Sequence, residues 1–376
     1  MTAADLSWYG EGYPELREGP PWVMEEMIEA EAGLAEPIAA AAGADAIAAD
    51  VARAASAGEP IVVTGCGTSE HGAMAVAAVL GEALRTTGSR VVPEPRQALD
   101  AALDPRAGGI CIGISHDGTT RATIHALVAA RDAGAATATI GVRDDSPIAL
   151  ASDHVMVTPL RDRSWCHTVA YTGTILAGAA IASEIAGGAR QDGSPIVQTL
   201  ALRPRIAQLA AHLQGARRIL AVGLGADLVT ARELALKIEE GARLAATALQ
   251  LESLLHGHLA GCDAGTTGLV LFAADPRPAR WRDDRLAVAA GAARAIGIAT
   301  AAIGSEAALA GLPPGVERLA VPAGDTVAGA LLTGAVALQL LTLELAHLVF
   351  SNPDLIRREQ RPYREAAAIA ETRAEW

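Results

Sequence analysis

Two short segments combine glycine with hydroxyl side chains, as a turn that holds an anion or a polar ligand requires. They are Gly65-Cys66-Gly67-Thr68-Ser69 and Ser115-His116-Asp117-Gly118-Thr119-Thr120. Each follows a short β-branched or apolar run, Pro60 to Thr64 and Gly109 to Ile114, and each precedes a stretch of helical composition. At such a strand-to-helix turn the first N–H groups of the helix lack partners and the helix dipole presents its positive end. Gly65 and Gly67 permit close backbone approach, and Thr68 and Ser69 add hydroxyl donors; Ser115, Gly118, Thr119 and Thr120 repeat that design. Structural turns and helix N-caps use the same residues. Repetition on successive strands is what favours a ligand site.

The elements that must position these turns follow one rhythm. In the first half, further strands are expected at Ala136 to Gly141 and His154 to Thr158, with helices over 70–87, 121–133 and 168–186. A polar, glycine-rich linker, Gly187 to Ser194, leads to a helix over 202–213. The strand–turn–helix theme then returns: Arg218 to Val222 is a strand, Gly223-Leu224-Gly225-Ala226-Asp227 a turn, and a helix runs to about Arg243. Strands are expected near 268–273, 298–303 and 317–321. Alternating β and α elements imply an α/β fold with right-handed crossovers, two doubly wound, flavodoxin-like parallel sheets in tandem. The expected units are an N-terminal arm and helices over 1–55, a first domain over 56–190, a second over 200–348, and a tail over 349–376.

Composition narrows the function. The 376 residues suit two domains, and 51% of them are apolar while only 3% are aromatic. Small aliphatic side chains must therefore build the core. A formal net charge of −13 argues against a nucleic-acid or anionic-membrane binder, which needs a basic surface. Cys66, Cys111, Cys166 and Cys262 show neither disulfide-framework nor zinc spacing, and no metal or redox cofactor is called for. The start lacks a basic region followed by an apolar run, so a signal peptide is not expected. The apolar stretch from Thr326 to Phe350 is long enough to span a bilayer. Its Gly, Thr and Gln content, and its place at the end of an α/β pattern, favour a buried core helix and a cytoplasmic protein.

In combination these motifs resemble a known family. Gly65-Cys66-Gly67-Thr68-Ser69 resembles the first strand–turn of SIS domains, and Ser115 to Thr120 resembles their S-x-S-G-x-T phosphate loop. The second half resembles the isomerase part of glucosamine-fructose-6-phosphate aminotransferase. Leu236-Lys237-Ile238-Glu239-Glu240 is similar to that family's K-x-x-E segment, and Leu254-Leu255-His256-Gly257-His258 to its K-H-G-P segment. The sixteen residues from Glu240 to His256 match the family interval. Asp162 to Thr172 resembles the segment that leads into a helix and touches the sugar, with Trp165, His167 and Thr168 at the corresponding positions. Similarity runs through most of residues 55–350.

The resemblance implies two tandem SIS-type domains, a homodimer with shared active sites, and a sugar derivative as ligand. It implies Glu240 as the base that moves a proton between C1 and C2, Lys237 as a substrate-binding residue, and His256 as the ring-opening group, reaching into a neighbouring subunit's cleft. Cys66, Gly67, Thr68, Ser69, Ser115, His116, Asp117, Gly118 and Thr120 become the sugar-binding turns. Chemically, a carboxylate suits a proton next to a carbonyl when partial burial raises its pKa, and imidazole exchanges protons near neutrality. Other readings stay open: Glu239 and Glu240 as a solvated helix face, His256 as an ordinary buried histidine, Trp165 as either a sugar-stacking ring or a plug.

Three departures bear on the transfer. Residues 1–55 carry no glutaminase domain, so glutamine-dependent amination is not expected. Asp117 stands where the family loop has its second serine, and a carboxylate repels a phosphate unless a cation or a protonated partner such as His116 intervenes. Arg361 falls at the position of the family's tail lysine; arginine cannot form a Schiff base but can clamp an anion, together with Arg357 and Arg358. Surface pairing of these arginines with Glu359 and Glu365 is the competing reading. The leading expectation is a sugar isomerase, deaminase or deglycase acting on a phosphosugar or amino sugar. The alternative is a sugar-sensing protein without chemistry. A nucleotide-binding oxidoreductase, suggested by Gly223-Leu224-Gly225, ranks last because the third glycine of the fingerprint is missing.

Overall fold

The computed structural model describes residues 8–277, 280–322 and 324–371; the outermost parts of the expected arm and tail lie outside them. Its innermost strands are near-continuous apolar runs, because a parallel sheet covered by helices buries both faces. Ile61–Gly65 (β1), Ile110–Ile114 (β3) and Thr267–Ala273 (β8) are buried at every position. Glu94–Gln97 (β2), Ala136–Gly141 (β4) and His154–Val157 (β5) complete the first sheet, in the parallel order β2-β1-β3-β4-β5. The second sheet adds Arg218–Gly223 (β6), Ala245–Gln250 (β7), Ala299–Gly304 (β9) and Glu317–Ala320 (β10), in the order β10-β9-β8-β6-β7. Read from its other edge, this is the first order repeated. The expected pair of doubly wound α/β sheets is present.

Strands β2 and β7 escape the sequence pattern for a physical reason. Both are edge strands, with one side of each ladder unpaired, and neither carries a β-branched run. Their sequences, Glu-Pro-Arg-Gln and Ala-Ala-Thr-Ala-Leu-Gln, are partly exposed.

Helices pack between and around the sheets with little side-chain bulk. A Cβ on Gly72 would lie 2.9 Å from the Thr174 side chain, and one on Gly334 would lie 2.7 Å from Thr230 Oγ1. The Ala-rich composition is what lets these helices approach so closely. Helices Val169–Ala186 and Val327–Leu348 are long and apolar enough to cross a membrane, yet 78% and 94% of their apolar windows are buried inside the protein. A helix apolar all round needs a surrounding core, and these two have one.

The first helix meets the segment after the last long helix. Asp354, buried in the tail, accepts hydrogen bonds from the N–H groups of Val23 (2.9 Å) and Met24 (2.7 Å), capping helix Val23–Ala30. The Asp354 carbonyl accepts from the N–H of Trp165 at 3.0 Å, tying both segments to the loop between β5 and helix Val169–Ala186.

Candidate functional site

The turn after β1 opens helix Thr68–Thr86, with Gly67 at its N-cap in a left-handed conformation (φ 58°) that disfavours a side chain. Thr68 is the meeting point of the two halves. Lys237 Nζ, at the end of helix Ala226–Lys237, donates to Thr68 Oγ1 at 2.9 Å, and Thr68 Oγ1 donates to Glu233 Oε1 at 3.2 Å. Glu233 Oε2 lies 2.6 Å from His71 Nδ1. Lys237 Nζ also donates to Glu240 Oε2 at 2.5 Å.

Local backbone geometry sets Glu240. The helix expected to run to Arg243 stops at Lys237 and widens into one π-helical turn, Ile238–Ala242, which ends at Arg243 with φ 58°. Such turns are rare and recur at functional sites. Glu240 retains 22% side-chain exposure, whereas Lys237 retains 1% and Glu233 none. The solvated-face reading therefore does not describe Glu240. Burial raises the Glu240 carboxyl above its usual pKa, opposed by Lys237 and reinforced by Glu233. Glu233 is the reverse: burial pushes its carboxyl up, but Lys237 and His71 prevail and hold it low. Burial works to lower the Lys237 pKa, yet Glu240 and Glu233 hold it well above its ordinary value. Cys166 is fully buried beside this turn, its Sγ 3.5 Å from where a Gly241 Cβ would stand; burial pushes its thiol up.

The second turn lies across a small cavity. Ser115 Oγ donates to Thr120 Oγ1 at 3.2 Å, and Gly118 (φ 72°) is pressed so closely on Ser146 that a Cβ would meet its Oγ at 2.2 Å. The cavity is lined by Thr68, Ser69, His116, His167 and Thr174, among others, and offers about 10 Å³ of room for water. That suffices for about one water molecule. His116 Nε2 accepts the Asp162 N–H at 2.9 Å, and its ring lies 5.1 Å, centroid to centroid, from that of His167. Burial pushes the two imidazoles down to about 4 and about 3 respectively. His116 is thus neutral near pH 7, not the protonated neighbour that Asp117 was expected to need. Arg161 fills that role, its Nε 3.0 Å from Asp117 Oδ1. Behind them Asp162 is buried, accepting from the N–H groups of Thr168 (2.5 Å), Ser164 (3.2 Å) and Ala170 (3.3 Å); burial raises it to about 6.

The structure therefore brings together Thr68, Lys237 and Glu240, and gathers Ser69, His116 and His167 on one cavity wall, with Ser115, Gly118, Thr120 and Thr168 in the adjoining segments. Cys66, half-buried, has Gln97 Nε2 3.8 Å from its sulfur, and burial raises its thiol. Trp165 has two ring contacts: Tyr13 lies 4.6 Å away, centroid to centroid, with its ring tilted, and the Arg358 guanidinium lies over the indole at 4.7 Å. His256 stands apart, its side chain 77% exposed and its Nε2 3.3 Å from Glu252. It is not buried. Arg361 is 81% exposed and pairs with Glu365 at 2.6 Å, while Glu359 pairs with Arg243 at 2.5 Å.

Sequence reading passed over Glu233, His71 and Arg161. Glu233 carried a signal: with Lys237 four residues on and Glu240 three beyond, one helical face collects all three. His71 likewise lies three residues after Thr68. Nothing in the sequence pairs Arg161 with Asp117.

Residues 56–182 match the SIS domain. The human glutamine–fructose-6-phosphate aminotransferase [isomerizing] 2 is 30% identical over 233 residues, covering 57% of this chain and 34% of that protein, and the mouse protein matches equally. The chain thus spans about a third of the length of these curated relatives. Among solved structures, the C-terminal domain of glucosamine-fructose-6-phosphate aminotransferase from Francisella tularensis superposes with a TM-score of 0.75 at 18% identity, covering 90% of this chain and 99% of that one. Tagatose-6-phosphate ketose/aldose isomerase from Escherichia coli gives 0.70 at 18% identity, over 91% and 97% of the two chains. Glucosamine-6-phosphate deaminase from Thermotoga maritima gives 0.69 at 17%, over 88% and 96%. At these identities the structural likeness establishes the fold. Residues 56–182 match the SIS domain, in a chain that over part of its length is similar to glutamine–fructose-6-phosphate aminotransferase [isomerizing] 2.

Proposed function

We infer that this chain is a sugar-converting enzyme of the isomerase, deaminase or deglycase type, in which Glu240 shuttles a proton between C1 and C2 of the open-chain sugar. The observation that carries this reading is the contact of Lys237 with both Glu240 and Thr68, which sets the base of the second half against the ligand turn of the first. A carboxylate with an elevated pKa is the stronger base, and the nearby ammonium offers charge stabilisation to an enediolate oxygen. The hydroxyls of Ser69, Ser115 and Thr120, with the turn backbones, hold the sugar. His256, exposed, completes the site from a second copy of the chain in a homodimer and passes a proton to the ring oxygen.

The test is hydrogen–deuterium exchange at C1/C2 of amino sugars and ketoses in deuterium oxide, followed by NMR. Glu240→Gln is expected to slow exchange by at least ~100-fold. Wild-type protein that binds the sugar yet exchanges no proton would remove this reading. A non-catalytic sugar sensor is the second reading, favoured by the exposure of His256 and Arg361 and by Asp117 in the loop. Ligand-induced thermal stabilisation without exchange is its signature.

A further inference from the structure

We propose that Asp117 and Arg161 read an uncharged, hydroxyl-bearing end of the sugar, so that the site takes a free sugar in preference to its phosphate ester. This rests on the sugar-enzyme reading above and names the substrate class of the same site. Two parallel cross-links join the segments that wall the cavity. His116 accepts from the N–H of Asp162, and the next residue on each side forms the Asp117–Arg161 ion pair at 3.0 Å. The pair therefore sits next to a contact that anchors one segment to the other, with 44% of the Asp117 side chain and 66% of the Arg161 side chain exposed.

Charge at this end of the site does not suit a dianion. Arg161 already faces a carboxylate, and Arg143, the other guanidinium in the field of Asp117, is paired with Asp145 through two contacts of 2.8 and 3.1 Å. The residues lining the cavity include no lysine or arginine, and its two histidines are held neutral by burial. Asp162 stands directly behind His116 as a buried carboxyl. Lys237 is shared between Glu233 and Glu240. An incoming phosphate would meet the Asp117 carboxylate, whose guanidinium is already engaged, with no unshared cation from these groups to offset its charge. A hydroxyl meets the opposite situation. The carboxylate accepts its proton, and the guanidinium N–H groups that do not face Asp117 donate to its oxygen, which are the strong, charge-assisted hydrogen bonds available to a neutral sugar.

The experiment is calorimetric titration of the full chain at pH 7.5 with two pairs of ligands, fructose with fructose 6-phosphate and glucosamine with glucosamine 6-phosphate. Wild type is expected to bind the free sugar of at least one pair at least ~10-fold more tightly than its phosphate. Asp117→Ser should reverse that order by raising affinity for the phosphate. Asp117→Asn keeps the shape without the charge and should shift the ratio the same way, which guards against misfolding of the serine variant. A wild type that prefers the phosphates, or a preference unchanged in both variants, overturns the proposal while leaving the sugar-enzyme reading intact. Absence of binding by all four ligands to every variant overturns the sugar-enzyme reading, and this proposal with it.

Discussion

The two halves of the molecule build the same mouth twice and treat it in opposite ways. In the first half, the turns after β1 and β3 flank a cavity lined by hydroxyls and two neutral imidazoles. In the second, the corresponding turns after β6 and β8 close on each other. Asp275, buried in the turn after β8, accepts the N–H of Ala226 at 3.0 Å, which is the place an anionic ligand takes at a helix start. Arg277 closes over it, with Nε 2.8 Å from Asp275 Oδ1. Asp227 reaches back to accept the N–H groups of Ala274 and Asp275. The glycine turn Gly223-Leu224-Gly225, which hinted at a nucleotide site, is filled by the protein's own carboxylate.

One helix serves both mouths. The start of Ala226–Lys237 is sealed by Asp275, and its end supplies Glu233, Lys237 and the π turn that carries Glu240 to Thr68. A repeated fold provides two helix-start sites, but the side chains that enter each one decide whether it is a cleft or a joint.

That contrast can be broken most severely at Lys237. Lys237→Met leaves Glu233 and Glu240 buried without their cation and should lower stability by about 3–5 kcal/mol in chemical denaturation. An unchanged denaturation midpoint would show that the cluster does not join the halves.

The next effect sharpens the comparison through pH. Each mouth has a buried carboxyl behind it. Glu31, whose Oε1 accepts from Thr172 at 2.8 Å, is raised by burial to about 8, and Asp227 is raised by burial to about 7. Gln339 joins Thr172 to the carbonyl of Thr168, so Glu31 braces the loop of the open mouth. A carboxyl whose pKa rises on folding holds its proton in the native state after the unfolded chain has lost it. Its contribution is full below the unfolded value, near 4.5 for Glu31, and is lost as pH rises to about 8. The contribution of Asp227 is lost by about pH 7. Glu31→Gln should abolish the decline between pH 7 and 8 and leave the variant more stable at pH 8, by on the order of 3 kcal/mol. A wild-type stability flat across that interval would contradict the assignment.

The smallest effect comes from opening the closed mouth. Asp275→Ala frees the Ala226 N–H and unpairs Arg277, and should lower stability by about 2 kcal/mol. Added inorganic phosphate should recover part of that loss in the variant and leave wild type unaffected. No recovery would mean that the second mouth is a joint by shape as well as by charge.

Much of the fold was legible in sequence because the strand–turn–helix units are local. The inner strands, the two glycine turns and the long buried helices announce themselves in runs of a dozen residues. Strands β2 and β7 were not legible, since Glu-Pro-Arg-Gln and Ala-Ala-Thr-Ala-Leu-Gln carry no β-branched run, although the other two edge strands, β5 and β10, were. In the site, Thr68, Ser115 and Lys237 could be marked from motifs, but Trp165 as a residue clasped by Tyr13 and Arg358 could not.

By itself the sequence determined which residues open each helix, how small the core side chains must be, and that Lys237 and Glu240 share a neighbourhood. Tertiary structure alone decided that Lys237 meets Thr68, that Asp275 seals one mouth while Arg161 engages Asp117 at the other, and that His256 and Arg361 stand at the surface of this chain. The reason is range. Backbone preferences and hydrophobic periodicity act over a few residues, whereas burial, ion pairing and the pKa values they set arise only where distant segments pack together.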